Sequence, residues 1–178
     1  MKFLEIVHHR KGLNIGYRHI TLSTCGIVPK IKKLAEFQLP ITLAISLHAA
    51  TDELRNQIMP INIKYPLRDL IEACKYYHNK TKRRITFEYA IIEGINDTIQ
   101  DAKNLINLIK EIQCHINIIP INPAVNIYVQ PSKENVNKFL QYLEEHNIAC
   151  TIRREMGRDI DAACGQLRNR HLLSNDDK

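Results

Sequence analysis

Five short apolar runs, at residues 19–22, 41–47, 85–92, 116–121 and 148–152, alternate along the chain with longer segments of helical periodicity. Strands and helices alternating in this way leave little choice of architecture: an α/β fold of right-handed β–α–β units around a parallel sheet. The run Ile41-Thr42-Leu43-Ala44-Ile45 is nearly unbroken in apolar character, which predicts strands covered by helices on both faces,. Several helix starts are legible. Pro66 suits a first helical position ahead of Leu67, Leu70, Ile71 and Cys74,. Thr98 and Asp101 have the spacing of a capping box, and Ser132 suits an N-cap ahead of Val136, Phe139, Leu140 and Leu143,. An opening helix over residues 2–11 is expected to stop at Gly12,. With 178 residues, no internal repeat and no Gly/Ser linker, the expectation is a single domain over 1–178,. It divides into an opening helix over 1–12, β/α units over 19–152, a cysteine-bearing segment over 153–167 and a polar tail over 168–178.

The chain carries 25 Lys and Arg against 19 Asp and Glu, a formal net charge of +6. The basic residues gather at Lys30/Lys32/Lys33, Lys80/Lys82/Arg83/Arg84, Arg153/Arg154/Arg158 and Arg168/Arg170. Such clusters suit a polyanionic partner whose counterions are released on binding, and they equally suit solvated faces. No apolar run approaches the ~20 residues that cross a bilayer, so no membrane partner is expected. Met1 is not followed by an apolar leader, and a cytoplasmic location is the default,. The five cysteines, Cys25, Cys74, Cys114, Cys150 and Cys164, are odd in number and irregular in spacing, unlike a disulfide framework,. No C-x2-C pair occurs, so no metal site is predicted in this chain, and reduced thiols are the simplest account.

Polar residues collect where the apolar runs end: Ser23-Thr24-Cys25-Gly26, Ser46-Leu47-His48-Ala49 and Asn122-Pro123. Each alone is ordinary turn chemistry. Together they fall at the carboxyl ends of parallel strands, where such folds bind ligands. They would form a rim of hydroxyl, imidazole and amide groups for a polar small molecule. A second candidate is the segment Asp159-Ile160-Asp161-Ala162-Ala163-Cys164-Gly165-Gln166-Leu167. Small neighbours let a bulky substrate approach the sulfur of Cys164. The acids favour its thiol, whereas Arg153, Arg154 and Arg158 favour its thiolate. A structural cysteine is the plainer reading, but the segment is too polar and too rich in small residues for ordinary core.

This segment resembles the C-terminal signature of the RlmN family. Those enzymes are radical S-adenosylmethionine (SAM) methyltransferases that act on adenine C2 in 23S ribosomal RNA and transfer RNA. Arg18-His19-Ile20-Thr21-Leu22-Ser23-Thr24 and Leu43-Ala44-Ile45-Ser46-Leu47-His48-Ala49 resemble the family's third and fourth strands. Asp52-Glu53-Leu54-Arg55 and Met59-Pro60-Ile61-Asn62 are similar to the family's segment after its fourth strand. Thr86-Phe87-Glu88-Tyr89, Gly94-Ile95-Asn96-Asp97 and Ile116-Asn117-Ile118-Ile119-Pro120-Ile121-Asn122-Pro123 resemble the fifth strand, its turn and the sixth. The resemblance implies a partial (β/α) radical-SAM barrel with its first strands missing. It implies SAM as cofactor, held by Ser23, Ser46, Leu47, His48 and Asn122, and Cys164 as the residue that becomes S-methylcysteine. Leu47 rests on the resemblance alone. The implied chemistry uses one SAM to methylate Cys164 and a second, cleaved at a [4Fe–4S] cluster, to activate that methyl group toward the base.

The cluster motif C-x3-C-x2-C of such enzymes is absent. So are the family's glycine–glutamate motif, accessory domain, second catalytic cysteine and general-base glutamate. The expectation is therefore a C-terminal portion, inactive by itself, whose cluster ligands lie elsewhere, for example on a separately encoded N-terminal half. Three other readings stay open. Cfr-type methylation at adenine C8 shares the signature, though the wording around Phe87-Glu88-Tyr89 and Ile119-Pro120-Ile121-Asn122 favours RlmN. A cysteine hydrolase pairing Cys164 with His48 lacks a third residue. A non-catalytic RNA-binding remnant is the last. Cys25, where the family has a small or apolar residue, reads as a small hydrophobe.

Overall fold

The structure, a computed structural model, describes residues 2–121 and 128–153. Asn122 and Cys164 lie outside the described residues, as does the tail over 168–178.

The strands β1 (Thr21–Thr24), β2 (Thr42–Ser46), β3 (Ile85–Ile91), β4 (Cys114–Pro120) and β5 (Cys150–Ile152) form one sheet, in the order in which they occur along the chain. Every neighbouring pair is parallel. The connections are helical, as parallel neighbours require. Helix α1 (Lys2–His8) precedes β1, and α2 (Val28–Glu36) joins β1 to β2. Then α3 (Asp52–Ile58), α4 (Ile61–Lys64) and α5 (Leu67–Thr81) lead to β3. Helices α6 (Ile99–Ile109) and α7 (Lys133–Glu145) precede β4 and β5. Two of the helix starts expected from sequence hold, and the third is offset by one residue. Thr98 and Asp101 form the reciprocal capping box, and Ser132 Oγ accepts from Asn135 N at 3.2 Å. Pro66 stands one residue before α5, as its N-cap.

Two boundaries differ from expectation, each for a local reason. The opening helix ends at His8, because the chain then folds back on itself: Gly12 N donates to His9 O and Ile15 N to Val7 O. A Cβ on Gly12 would lie 2.1 Å from the Ile6 carbonyl oxygen, so only glycine fits this return,. The first strand begins at Thr21 because Tyr17–His19 winds into a 3-10 turn. Ser23 therefore lies within β1, and the turn itself falls on Cys25 and Gly26.

The larger correction concerns the faces of the sheet. In β3 burial alternates strictly: Ile85, Phe87, Tyr89 and Ile91 are fully buried, while Thr86, Glu88 and Ala90 are not. The buried set joins Leu43, Ile45, Ile116 and Ile118 and the apolar stripes of α2, α5, α6 and α7 in one continuous core. Burying a side chain such as Phe87 or Phe139 contributes roughly 2–3 kcal/mol. The registered partners on the opposite face are Ser23 and Ala44, Ser46 and Glu88, Glu88 and Asn117, Asn117 and Thr151. This second face also carries Ala44, Ala90 and Ile119, and it is more polar than the core face. The near-continuous apolar wording of β2 misled because Ala44, small and buried, sits on the polar face.

Candidate functional site

Two of the rim residues read from sequence, Ser46 and His48, stand at the carboxyl end of the sheet, with Leu47 between them. Ser46 closes β2, and Leu47 and His48 follow it. His48 has a left-handed backbone, φ 60°, which turns the chain so that the N–H groups of Leu47 and His48 both reach the Glu88 carbonyl, at 3.0 and 3.3 Å. Histidine adopts this conformation more readily than bulky or β-branched residues. Ser23 lies one strand away on the exposed polar face.

The early end of β2 leaves the longer β3 without a partner along its last residues, and two side chains take the vacant pairing positions. His48 Nδ1 accepts the Ala90 N–H at 3.0 Å. Asn96, fully buried, accepts the Ile92 N–H through Oδ1 and donates through Nδ2 to the carbonyls of Ala90 and His48. With Nδ1 an acceptor, the ring proton resides on Nε2. Burial pushes the His48 pKa down to about 4, and the Arg55 guanidinium adds to the effect. His48 is thus a neutral imidazole of fixed tautomer near physiological pH, with Nε2 its remaining donor.

Beneath the rim lies a residue to which sequence reasoning gave no role. Arg55, on α3, has no exposed surface. Its Nη2 donates to the carbonyls of Cys25 and Ser46, at 2.9 and 3.1 Å, and its Nε donates to Leu47 O at 3.0 Å. Nη1 donates to Asn62 Oδ1 at 2.8 Å, and Asn62 Nδ2 in turn donates to Asp52 and Asn56. The same Asp52 oxygen accepts from Leu67 N, which anchors the start of α5. One guanidinium therefore holds the ends of β1 and β2 together. A Glu–Leu–Arg stretch on a short helix reads in sequence as a solvated face, and partners that are backbone carbonyls leave no sequence signal. Gly26 permits the arrangement: its φ is +106°, and a Cβ there would meet Leu70 at 3.1 Å and Arg55 Nη2 at 3.4 Å,.

Leu47 has no exposed surface, and both its backbone groups are engaged, so its place in the rim is as a support. The polar face below the rim carries two further contacts: Asn117 Nδ2 donates to Glu88 Oε2 at 2.9 Å, and His115 Nε2 meets Thr151 Oγ1 at 2.9 Å. These groups fit a small polar ligand bearing both donors and acceptors. Metal is another matter. Among the described residues no three His, Cys, Asp or Glu side chains converge on a possible ion site. Burial raises the thiol pKa of Cys74 to about 12 and those of Cys114 and Cys150 to about 11. The described residues do not fit an iron–sulfur cluster, and no helix among them is long and apolar enough to cross a membrane.

Residues 1–109 match the sequence pattern of the radical SAM superfamily. A probable dual-specificity RNA methyltransferase RlmN from Thermoanaerobacter sp. (strain X514) is 56% identical over 173 residues, 97% of this chain and 51% of the relative. The protein of the same name from Desulforamulus reducens is 54% identical over 176 residues, 98% of this chain and 50% of that one. Among solved structures, a radical SAM methyltransferase from Sphaerobacter thermophilus is similar with a TM-score of 0.89 and 44% identity, over 93% of this chain and 49% of that one. A domain of pyruvate-formate lyase-activating enzyme from Bacteroides vulgatus shares the fold alone, at a TM-score of 0.60 and 14% identity, over 84% of this chain and 93% of that one. The chain spans about half the length of the curated relatives it matches.

Proposed function

The chain belongs to the radical SAM superfamily and, within it, to the RlmN family, and from that premise we propose that it forms the SAM-cradling, methyl-carrying part of a methyltransferase acting on adenine C2 of 23S ribosomal RNA and transfer RNA. The observation that carries the proposal is the strand-end rim, in which Ser46 and a His48 of fixed tautomer stand over an open polar face. Ser23, Ser46 and His48 would hold SAM with Asn122, on a backbone fixed at Leu47, and Cys164 would carry the methyl group. When bound, SAM supplies the methyl group and, at a cluster, the radical. What this chain's own residues do is bind and orient. Arg55 fixes the Cys25, Ser46 and Leu47 carbonyls, and His48 presents a donor that does not titrate near neutrality.

The cluster would be held by polypeptide corresponding to the other half of the relatives, on the same or a separate chain, in a cytoplasmic enzyme. Two measurements test this. Calorimetry should detect SAM binding to the chain, and Ser46→Ala should weaken it. Anaerobic assembly with the amino-terminal half of an RlmN relative should then yield 2-methyladenosine in 23S and transfer RNA, abolished by Cys164→Ala. Methylation at C8 instead would establish the Cfr-type alternative. A chain that binds RNA but not SAM would be a non-catalytic remnant.

A further inference from the structure

Glu88 is the one acid on the polar face of the five strands, and none of the roles described so far uses its side chain. It sits in the central strand, in register with Ser46 on one side and Asn117 on the other. Its own carbonyl receives the Leu47 and His48 N–H groups, which places it directly below the rim. The carboxylate is half-buried, between Phe87 and Tyr89 whose side chains go to the core on the other face. Among the described residues its contact is a single neutral one, the Asn117 amide at 2.9 Å, and no cation there pairs with it. A carboxylate accepts about four hydrogen bonds when its lone pairs are filled, so the described residues leave most of its capacity unfilled. Partial burial of a charge with one neutral partner is unfavourable unless something completes it.

The completing group is a hydroxyl donor. The buried Arg55 guanidinium is taken up by the Ser46 and Leu47 carbonyls and does not pair with Glu88, and the nucleoside cofactor read onto this face brings two adjacent ribose hydroxyls. A vicinal diol can fill one carboxylate with two donors, the way an acidic residue takes the ribose of a dinucleotide. We propose that Glu88, oriented by Asn117, accepts the ribose hydroxyls of the bound nucleoside cofactor and so selects for a ribonucleoside. This rests on the reading of the polar face as a SAM site.

The test is calorimetry on the chain with three ligands: SAM, 5′-methylthioadenosine, which keeps the ribose and lacks the amino acid, and the 2′,3′-dideoxy form of the latter. Glu88→Gln should weaken the two ribose compounds about tenfold, the loss of a charge-assisted hydrogen bond, and leave the dideoxy compound unchanged. Glu88→Asp keeps the charge but draws the oxygens back by one methylene, and should weaken the ribose compounds selectively too. Equal losses for ribose and dideoxy ligands, or no loss at all, would overturn the ribose assignment while the SAM site stands. A wild-type chain that binds none of the three would overturn the SAM site and this assignment with it.

Discussion

Arg55 carries a full positive charge to a position without exposed surface and without a carboxylate in contact, so its stability rests on four acceptors aimed at it. Arg55→Met would leave three backbone carbonyls and the Asn62 amide oxygen without this donor. The expected loss in urea denaturation is about 3 kcal/mol, since each unsatisfied buried group costs about 1–3 kcal/mol and some relax. A loss below about 1 kcal/mol would mean that water replaces the guanidinium. His48 sets a pH dependence. Its pKa is lower folded (about 4) than unfolded (about 6.5), so the native state binds fewer protons,. Its contribution is fully present above the unfolded value and is lost as pH falls from there toward the folded value. The expected loss between pH 7.5 and 5 is about 2 kcal/mol. His115 is shifted in the same direction by burial, so the quantity to read is the difference in urea midpoints between wild type and His48→Gln. An unchanged difference across that range would exclude the His48 contribution. The sequence offered His48 and Ser46 as rim residues because imidazole and hydroxyl at a strand end are visible in the letters. It offered no role for Arg55, Asn62 or Asn96, because their partners are main-chain groups brought close only by the fold.

Among the elements, the turns at Gly26 and Gly94 make a matched pair. Gly94 has φ +67° with no atom within 4 Å of a built Cβ, whereas Gly26 has φ +106° with Leu70 and Arg55 at its side. Gly94→Ala should cost about 1 kcal/mol, the left-handed penalty alone, while Gly26→Ala should cost about 2–3 kcal/mol, because strain and overpacking add. Thermal melts of the two variants rank them, and equal losses would show that the β1–α2 turn has room to relax. Helix starts were readable because capping is local chemistry: Thr98 and Asp101 meet across a single turn. Strand existence was readable for the same reason. Which face the helices cover is hidden in β2, where Ala44 makes the run read as apolar throughout, although Ile85-Thr86-Phe87-Glu88-Tyr89-Ala90-Ile91 in β3 alternates in the letters themselves.

As a whole, the described molecule presents a basic chain with exposed apolar groups on its opening helix, Phe3 at 72% and Ile6 at 63% exposure, and β1 at the edge of the sheet. An edge strand and an apolar helix face both favour association. Sedimentation velocity on the chain should show concentration-dependent self-association, reduced by Ile6→Lys; a monomer at every concentration would mean that these surfaces are tolerated. RNA affinity should fall steeply with salt if the basic clusters contact phosphate, and a flat salt titration would remove that role from them. The order of the sheet has a mechanical meaning as well. Because strand order equals chain order, an outer strand can detach without threading past any other. The ladders hold four residue pairs between β1 and β2, four between β2 and β3, seven between β3 and β4 and three between β4 and β5. Pulled from its two ends in an optical trap, such a chain should peel from the outside inward, and the last plateau of force before full extension should belong to β3 and β4.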